Sequence, residues 1–278
     1  MRGLIEFGLL RAARVAQQNR VMRKVPPVHY LAVCAIAKNE GSFFSEWIDW
    51  HTALGVEKFY IYNNESTDDT FEILRPYIDS SLVEYHLIAG KKKQTTAYDD
   101  CLARHRYDSR WIAFIDLDEF IVPVKNKTIP EFLKGYEKFA AVEINWLCYG
   151  SGGVKTRGPG KVMERFRTHS HPDCELNRHI KSIVNPRLAL NFISSHHPTL
   201  LFGIAVDTNC RTTRQYFFKR TPLHDKIRIN HYAVKSYEEF LEKKKRGRSM
   251  SLDQRDSDYF EKFDRNEIKD DNICVNKS

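Results

Sequence analysis

Two carboxylates one residue apart, Asp116 and Asp118, close the apolar run Trp111-Ile112-Ala113-Phe114-Ile115, and Glu119 follows at once. A short apolar run bounded by charge predicts a buried strand, whose two-residue period turns Asp116 and Asp118 to one side at its carboxyl end. Like charges held that close repel. A divalent cation between them relieves the repulsion, and carboxylate oxygens are the donors that Mg²⁺ and Mn²⁺ take. Asp-x-Asp is also a common solvated strand end, so a site for a metal-bound diphosphate rests on the company these residues keep.

That company is set by the elements around them. Apolar runs at 30–37, 59–62, 83–88 and 111–115 predict strands, and helical spacing at 42–54, 70–77 and 95–106 predicts helices between them. The alternation predicts an α/β fold, a mostly parallel sheet flanked by helices, in which ligands bind beyond the carboxyl ends of the strands. Ala37, Lys38, Asn39 and Glu40 follow the first strand, and Asn63, Asn64, Glu65, Ser66, Thr67, Asp68 and Asp69 the second. The second stretch could serve only to cap the next helix, since Ser, Thr and Asp favour caps. Three polar strand ends on one crevice point instead to a nucleotide.

The chain has 278 residues, enough for one sizeable α/β domain, and a formal net charge of +8, which favours anionic partners such as nucleotide phosphates, acidic lipid headgroups or nucleic acid. No run approaches the roughly 18 apolar residues of a membrane span. Six cysteines without a CxxC pair read as core thiols in a reducing compartment, not as a zinc site or a disulfide framework. Residues 1–27 form a basic amphipathic segment stopped by Pro26-Pro27, suited either to an anionic membrane surface or to packing on the body of the protein. Residues 249–278 read as a polar tail around one short aromatic cluster, Tyr259, Phe260 and Phe263.

The ordered series KNE at 38–40, NNESTDDT at 63–70, QTTAYDDCLARHR at 94–106 and DLDEF at 116–120 resembles glycosyltransferase family 92, the domain-of-unknown-function 23 type, and bacterial family-2-like relatives. INWLCYGSGG at 144–153, NRHIKSIVNP at 177–186 and INHYAVKSYEEFLEKKKRGR at 229–248 extend the resemblance over residues 30–248. It implies a GT-A (Rossmann-like) fold, a single domain at 28–248 with an acceptor-side extension. It also implies that Ala37 to Glu40 with Asn63, Asn64, Ser66 and Asp68 hold the base and ribose of a nucleotide sugar, a UDP-sugar being favoured. Gln94, Tyr98 and Asp99 or Asp100 would line the same pocket. Asp116 and Asp118 would bind Mn²⁺ or Mg²⁺, with His231 as a third ligand. Lys235, Arg246 and Arg248 are candidate phosphate partners, unless they are a solvated helix face.

Glycosyl transfer builds negative charge on the leaving diphosphate, which a divalent cation and basic side chains stabilise. An inverting enzyme also needs a base for the acceptor hydroxyl. Glu175, Asp173 and Glu164 are the candidates, with Glu119 beside them; Glu164 could instead pair with Arg165 or Arg167. Trp146 is placed either to stack on an acceptor sugar or to fill the core. His169, His171, His179, His196 and His197 match no zinc spacing.

The expectation is a metal-dependent, inverting transferase that moves a hexose, galactose from UDP-galactose, to a glycan or lipid-linked saccharide acceptor. The setting expected is bacterial surface polysaccharide or lipopolysaccharide synthesis, in the cytoplasm or peripherally at the inner face of the membrane. A sugar nucleotidyltransferase is the first rival, but Lys38-Asn39-Glu40-Gly41 is no glycine-rich loop. A nucleic-acid-binding protein, suggested only by the net charge of +8 and the basic run Lys243 to Arg248, leaves Asp116 and Asp118 unexplained, and no nucleic acid is expected as partner.

Overall fold

Seven consecutive buried positions end the strand His29–Ala37 (β1), as expected of a central strand covered on both faces. The computed structural model describes residues 2–22, 25–213, 221–246 and 258–271, without the side chains of 2–8, 21 and 22. Arg248 therefore lies outside the described residues. A helix, Arg2–Met22 (α1), precedes β1. Gly41–Ala53 (α2), Lys58–Asn63 (β2), Thr70–Asp79 (α3), Val83–Leu87 (β3), Gln94–His105 (α4) and Ser109–Phe114 (β4) then follow the predicted alternation to within a few residues. Next come Glu119–Pro123 (β5), Ile129–Leu133 (α5), Ala141–Cys148 (β6), Val162–Arg165 (α6), Thr168–His169 (β7) and Ile180–Val184 (β8). Ala189–Phe192 (β9), Pro198–Leu200 (β10), Ala205–Asp207 (β11), Ile227–His231 (β12), Tyr237–Arg246 (α7), Asp258–Phe263 (α8) and Ile268–Lys269 (β13) complete the chain.

The nine-stranded sheet runs β3-β2-β1-β4-β8-β6-β12-β5, with β11 on the first half of β6. β3, β2, β1 and β4 are parallel, as are the pairs of β6 with β11 and β12; β8 runs antiparallel between β4 and β6, and β5 antiparallel to β12. One face packs Phe44, Trp47, Phe59 and Trp111 under α2, and the other packs Tyr62, Tyr98 and Phe114 under α4. At roughly 25 cal/mol per Å² of apolar area, such fully buried aromatic residues dominate the stability of this fold.

The structure corrects two sequence expectations and decides between two alternatives for a third segment. β4 ends at Phe114, so Asp116 and Asp118 lie in the turn to β5, not on a strand. Residues 258–271 are part of the domain and not a tail: β13 pairs with β7, and Asp270 accepts hydrogen bonds from the Tyr149 hydroxyl and from Arg228. Finally, α1 packs on the body through buried Val15 and the Asn19 amide, which donates to the Arg187 carbonyl, while Leu9 and Leu10 stay exposed. Among the described residues no helix is long and apolar enough to cross a membrane.

Candidate active site

Local capping chemistry builds the site from its C-terminal side. Ser236 and Glu239 form a reciprocal capping box: the Ser236 hydroxyl accepts from the Glu239 N–H at 3.2 Å, and Glu239 accepts from the Ser236 N–H at 3.1 Å. Arg165 grips the same carboxylate with both guanidinium arms, at 2.6 and 3.2 Å. This fixes where α7 begins. Lys243, one turn beyond Glu239 on the buried face of α7, then reaches Asp118, and Arg246 reaches Glu40 and, at 3.0 Å, the Asn39 carbonyl. Ser236→Ala is expected to cost about 1 kcal/mol of stability, read from denaturant unfolding.

Asp118 is buried, with the His231 Nε2 3.7 Å from its Oδ2. Burial alone would raise its pKa, but the Lys243 ammonium and His231 outweigh it and hold the carboxyl well below the usual range. Asp116 faces the other way. Its Oδ1 accepts from the Gln94 amide at 2.6 Å and the Tyr98 hydroxyl at 3.3 Å, and its Oδ2 from Lys181 at 2.9 Å. Lys181, fully buried on β8, also lies 3.6 Å from Glu119. Burial together with the Asp116 and Asp118 charges pushes Glu119 well above its ordinary range, while Lys181 pulls it down. Burial lowers Lys235 to about 8 against the pull of Asp118; its ammonium sits over the Phe43 ring at 4.3 Å.

The ends of β1 and β2 are stitched together as a binding rim. Asn39, at φ 52, donates its N–H to Ser66 and accepts from the Thr67 N–H, while Asp68 accepts from the Gly41 N–H and the Thr70 hydroxyl. The Ala37 carbonyl accepts the Asn64 N–H, Asn63 Oδ1 the Ser66 N–H, and Lys38 pairs with Glu65. A cleft of ≈ 540 Å³ opens beside Asn39, Thr67, Asp68, Arg157 and Arg246. Asp116 and Asp118 do not line it; α7 has Arg246 at the cleft and, three residues earlier, Lys243 at Asp118.

Several predicted site residues are placed elsewhere. Gln94 and Tyr98, one turn apart on α4, share the face toward Asp116, but Asp99 accepts the Phe192 N–H at 2.7 Å and Asp100 binds the Tyr62 hydroxyl and Arg104. Helical spacing turns both away from that face. The candidate bases also fail to converge on the turn. Glu175 and Asp173 are exposed and pair with Arg178 and His171, and exposed Glu164 leaves Arg165 to Glu239. Glu175→Gln, Asp173→Asn and Glu164→Gln are each expected to change kcat less than about threefold in a steady-state assay, since exposed pairs are worth under ~1 kcal/mol. Trp146 is core, only 7% exposed, and packs on His231 and His179 at ring distances of 3.9 and 4.7 Å. Burial pushes His179 to about 4 and His196 to about 3, so both are neutral imidazoles.

The donor set of Asp116, Asp118 and His231 suits a hard divalent cation, and the buried His231 Nδ1 lacks a hydrogen-bond partner among the described residues. In this arrangement Asp116 and Asp118 are instead each compensated by an ammonium, Lys181 and Lys243. From sequence, Lys243 stood only in the basic run of the nucleic-acid alternative, and Lys181 had no role. Lys181 left a signal, a lone charge in a strand buried at every position, whereas Lys243 sits in a lysine run whose buried member only the packing of α7 selects.

Residues 29–273 match the model of the family described as Glycosyltransferase family 92. The chain is 33% identical over 164 residues to the Glycosyltransferase family 92 protein Os08g0121900 of Oryza sativa subsp. japonica, covering 57% of this chain and 27% of that protein. It is 30% identical over 128 residues to the galactan beta-1,4-galactosyltransferase GALS2 of Arabidopsis thaliana, covering 40% of this chain and 25% of that protein. The chain thus spans about a quarter of the length of each. Among solved structures it is similar to Staphylococcus aureus TarS 1-349, with TM-score 0.39 and 16% identity over 57% of this chain and 48% of that one.

Proposed function

Because the chain belongs to glycosyltransferase family 92, we propose that it transfers a hexose from a nucleotide sugar to a glycan or lipid-linked saccharide acceptor, with inversion. The observation that carries this reading is the meeting of Asp118, His231 and Lys243 beside the Asp116–Lys181 pair. Four cations, Lys181, Lys235, Lys243 and Arg246, stand where negative charge would build on a leaving diphosphate. Gln94 and Tyr98 orient Asp116, and the rim from Asn39 to Asp68 provides backbone and side-chain groups for the nucleoside. Asp116, Asp118 and His231 would hold Mn²⁺ or Mg²⁺, which when bound supplies Lewis-acid stabilisation of the diphosphate.

UDP-galactose is the favoured donor, supported by the galactosyltransferase name of the GALS2 relative. The plant sources of the relatives reported above lend no support to a bacterial surface polysaccharide as the acceptor. Calorimetric binding and donor hydrolysis across UDP-, GDP-, CMP- and dTDP-sugars, with and without Mn²⁺, test the proposal. Tight, Mn²⁺-dependent binding of UDP-galactose is expected. Binding of no nucleotide sugar, with or without Mn²⁺, would end this reading.

A further inference from the structure

At the edge of the sheet farthest from β5, β3 carries Glu84 and His86 on one face, two residues apart, and the last residue of α4, His105, meets them there. The Glu84 Oε1 lies 3.3 Å from the His86 Nε2 and 3.4 Å from the His105 Nε2, and the three ligand atoms all fall within 4.8 Å of one another. Neither contact is a hydrogen bond, and both Nε2 atoms are buried without a hydrogen-bond partner among the described residues. The His105 side chain is only 7% exposed.

The tautomer explains why this matters. The His105 Nδ1 lies 2.9 Å from the Asp108 carboxylate, which can only accept, so Nδ1 carries the proton. In the neutral ring the Nε2 then presents a lone pair toward the Glu84 carboxylate. Two acceptors facing each other across 3.4 Å repel unless a proton or a metal cation lies between them. Ligands of a tetrahedral ion with bonds of about 2.0–2.1 Å are about 3.3 Å apart, close to the separation on the two edges that Glu84 shares with the histidines. Tyr62 stacks on His86 and Tyr60 on His105, at ring distances of 4.7 and 3.8 Å, so neither imidazole can turn away. Asp108 occupies the outer position that a carboxylate takes behind a metal-bound histidine.

We propose that Glu84, His86 and His105 bind one Zn²⁺, with Asp108 orienting His105 and water in the fourth position. The ion ties the edge strand β3 to the C-terminal end of α4. Its place is distinct from the candidate active site, since Gln94, which touches Asp116, lies at the other end of α4, about 16 Å along the helix axis. Two histidines, one carboxylate and an open position suit zinc better than the all-oxygen surroundings that Mg²⁺ takes.

Metal-stripped full-length protein would be titrated with Zn²⁺ by calorimetry at neutral pH, and with Co²⁺ to read the visible bands of a tetrahedral complex. The stoichiometry is expected to fall by one ion in His86→Asn and in Glu84→Gln. Glu84 is half exposed, so its substitution leaves the fold intact even if His86→Asn does not. Asp108→Asn is expected to weaken the same event about tenfold or more. Zinc is also expected to raise the Tm of the wild type and not that of Glu84→Gln. An unchanged stoichiometry in Glu84→Gln, or wild-type protein that gives no tetrahedral Co²⁺ spectrum, would overturn the proposal.

Discussion

Replacing Asp118 with alanine is expected to lower kcat on the order of 10³-fold, the scale at which removing one preorganised electrostatic partner of a developing charge acts. The same substitution is expected to destabilise the fold by about 3–5 kcal/mol, because it takes the carboxylate away from a buried cation. Lys243 would keep the Ala233 carbonyl at 2.7 Å but lose its carboxylate, and Lys235 would lose the carboxylate that holds up its pKa. The two effects separate in the double variant Asp118→Ala/Lys243→Met, which should regain most of the lost stability while remaining inactive. Denaturant unfolding and steady-state kinetics on the three proteins measure this. A single variant that keeps more than a tenth of wild-type kcat would remove Asp118 from the mechanism.

Lys181→Met is the second large effect, expected to cost about 3–5 kcal/mol near neutral pH, since Asp116 and buried Glu119 lose their shared cation. The deficit depends on pH with a definite sign. Glu119 already has a folded-state pKa above its unfolded value, and losing Lys181 raises it further. A group raised in this way binds more protons folded than unfolded, so both proteins lose stability as pH climbs above about 4.3, the unfolded glutamate value, and the variant goes on losing it above the wild-type folded pKa, up to its own higher one. Unfolding at pH about 4.5 and about 7.5 should therefore show the variant nearer to wild type at the lower pH. An equal deficit at both would show that Lys181 acts by packing alone.

Much of the frame was legible before any coordinates, because it depends on neighbours close in the chain. The apolar runs become β1 to β4, and the polar residues after β1 and β2 meet on one rim, since parallel strands present their carboxyl ends together. The order of motifs sufficed to expect family 92. Less visible was the direction of individual side chains on α4, where one residue of helical phase separates Tyr98 at Asp116 from Asp99 at β9. A boundary placed after residue 248 failed for a related reason: Ile268 and Lys269 pair with β7 a hundred residues earlier, a partnership that composition does not record.

By itself, then, the sequence determined the alternation of strands and helices, the polar strand ends and the acidic pair that follows β4. Side-chain period and turn chemistry act over a few residues and can be read directly. Tertiary structure decided which cation each carboxylate meets: Lys181, 65 residues from Asp116, and Lys243, 125 residues from Asp118. It also decided that Glu119 is buried beside Lys181, that Glu164, Asp173 and Glu175 stay in water, and that Glu84, His86 and His105 converge. Desolvation and charge pairing depend on what is buried together, and only the folded chain brings such distant residues out of water at one place.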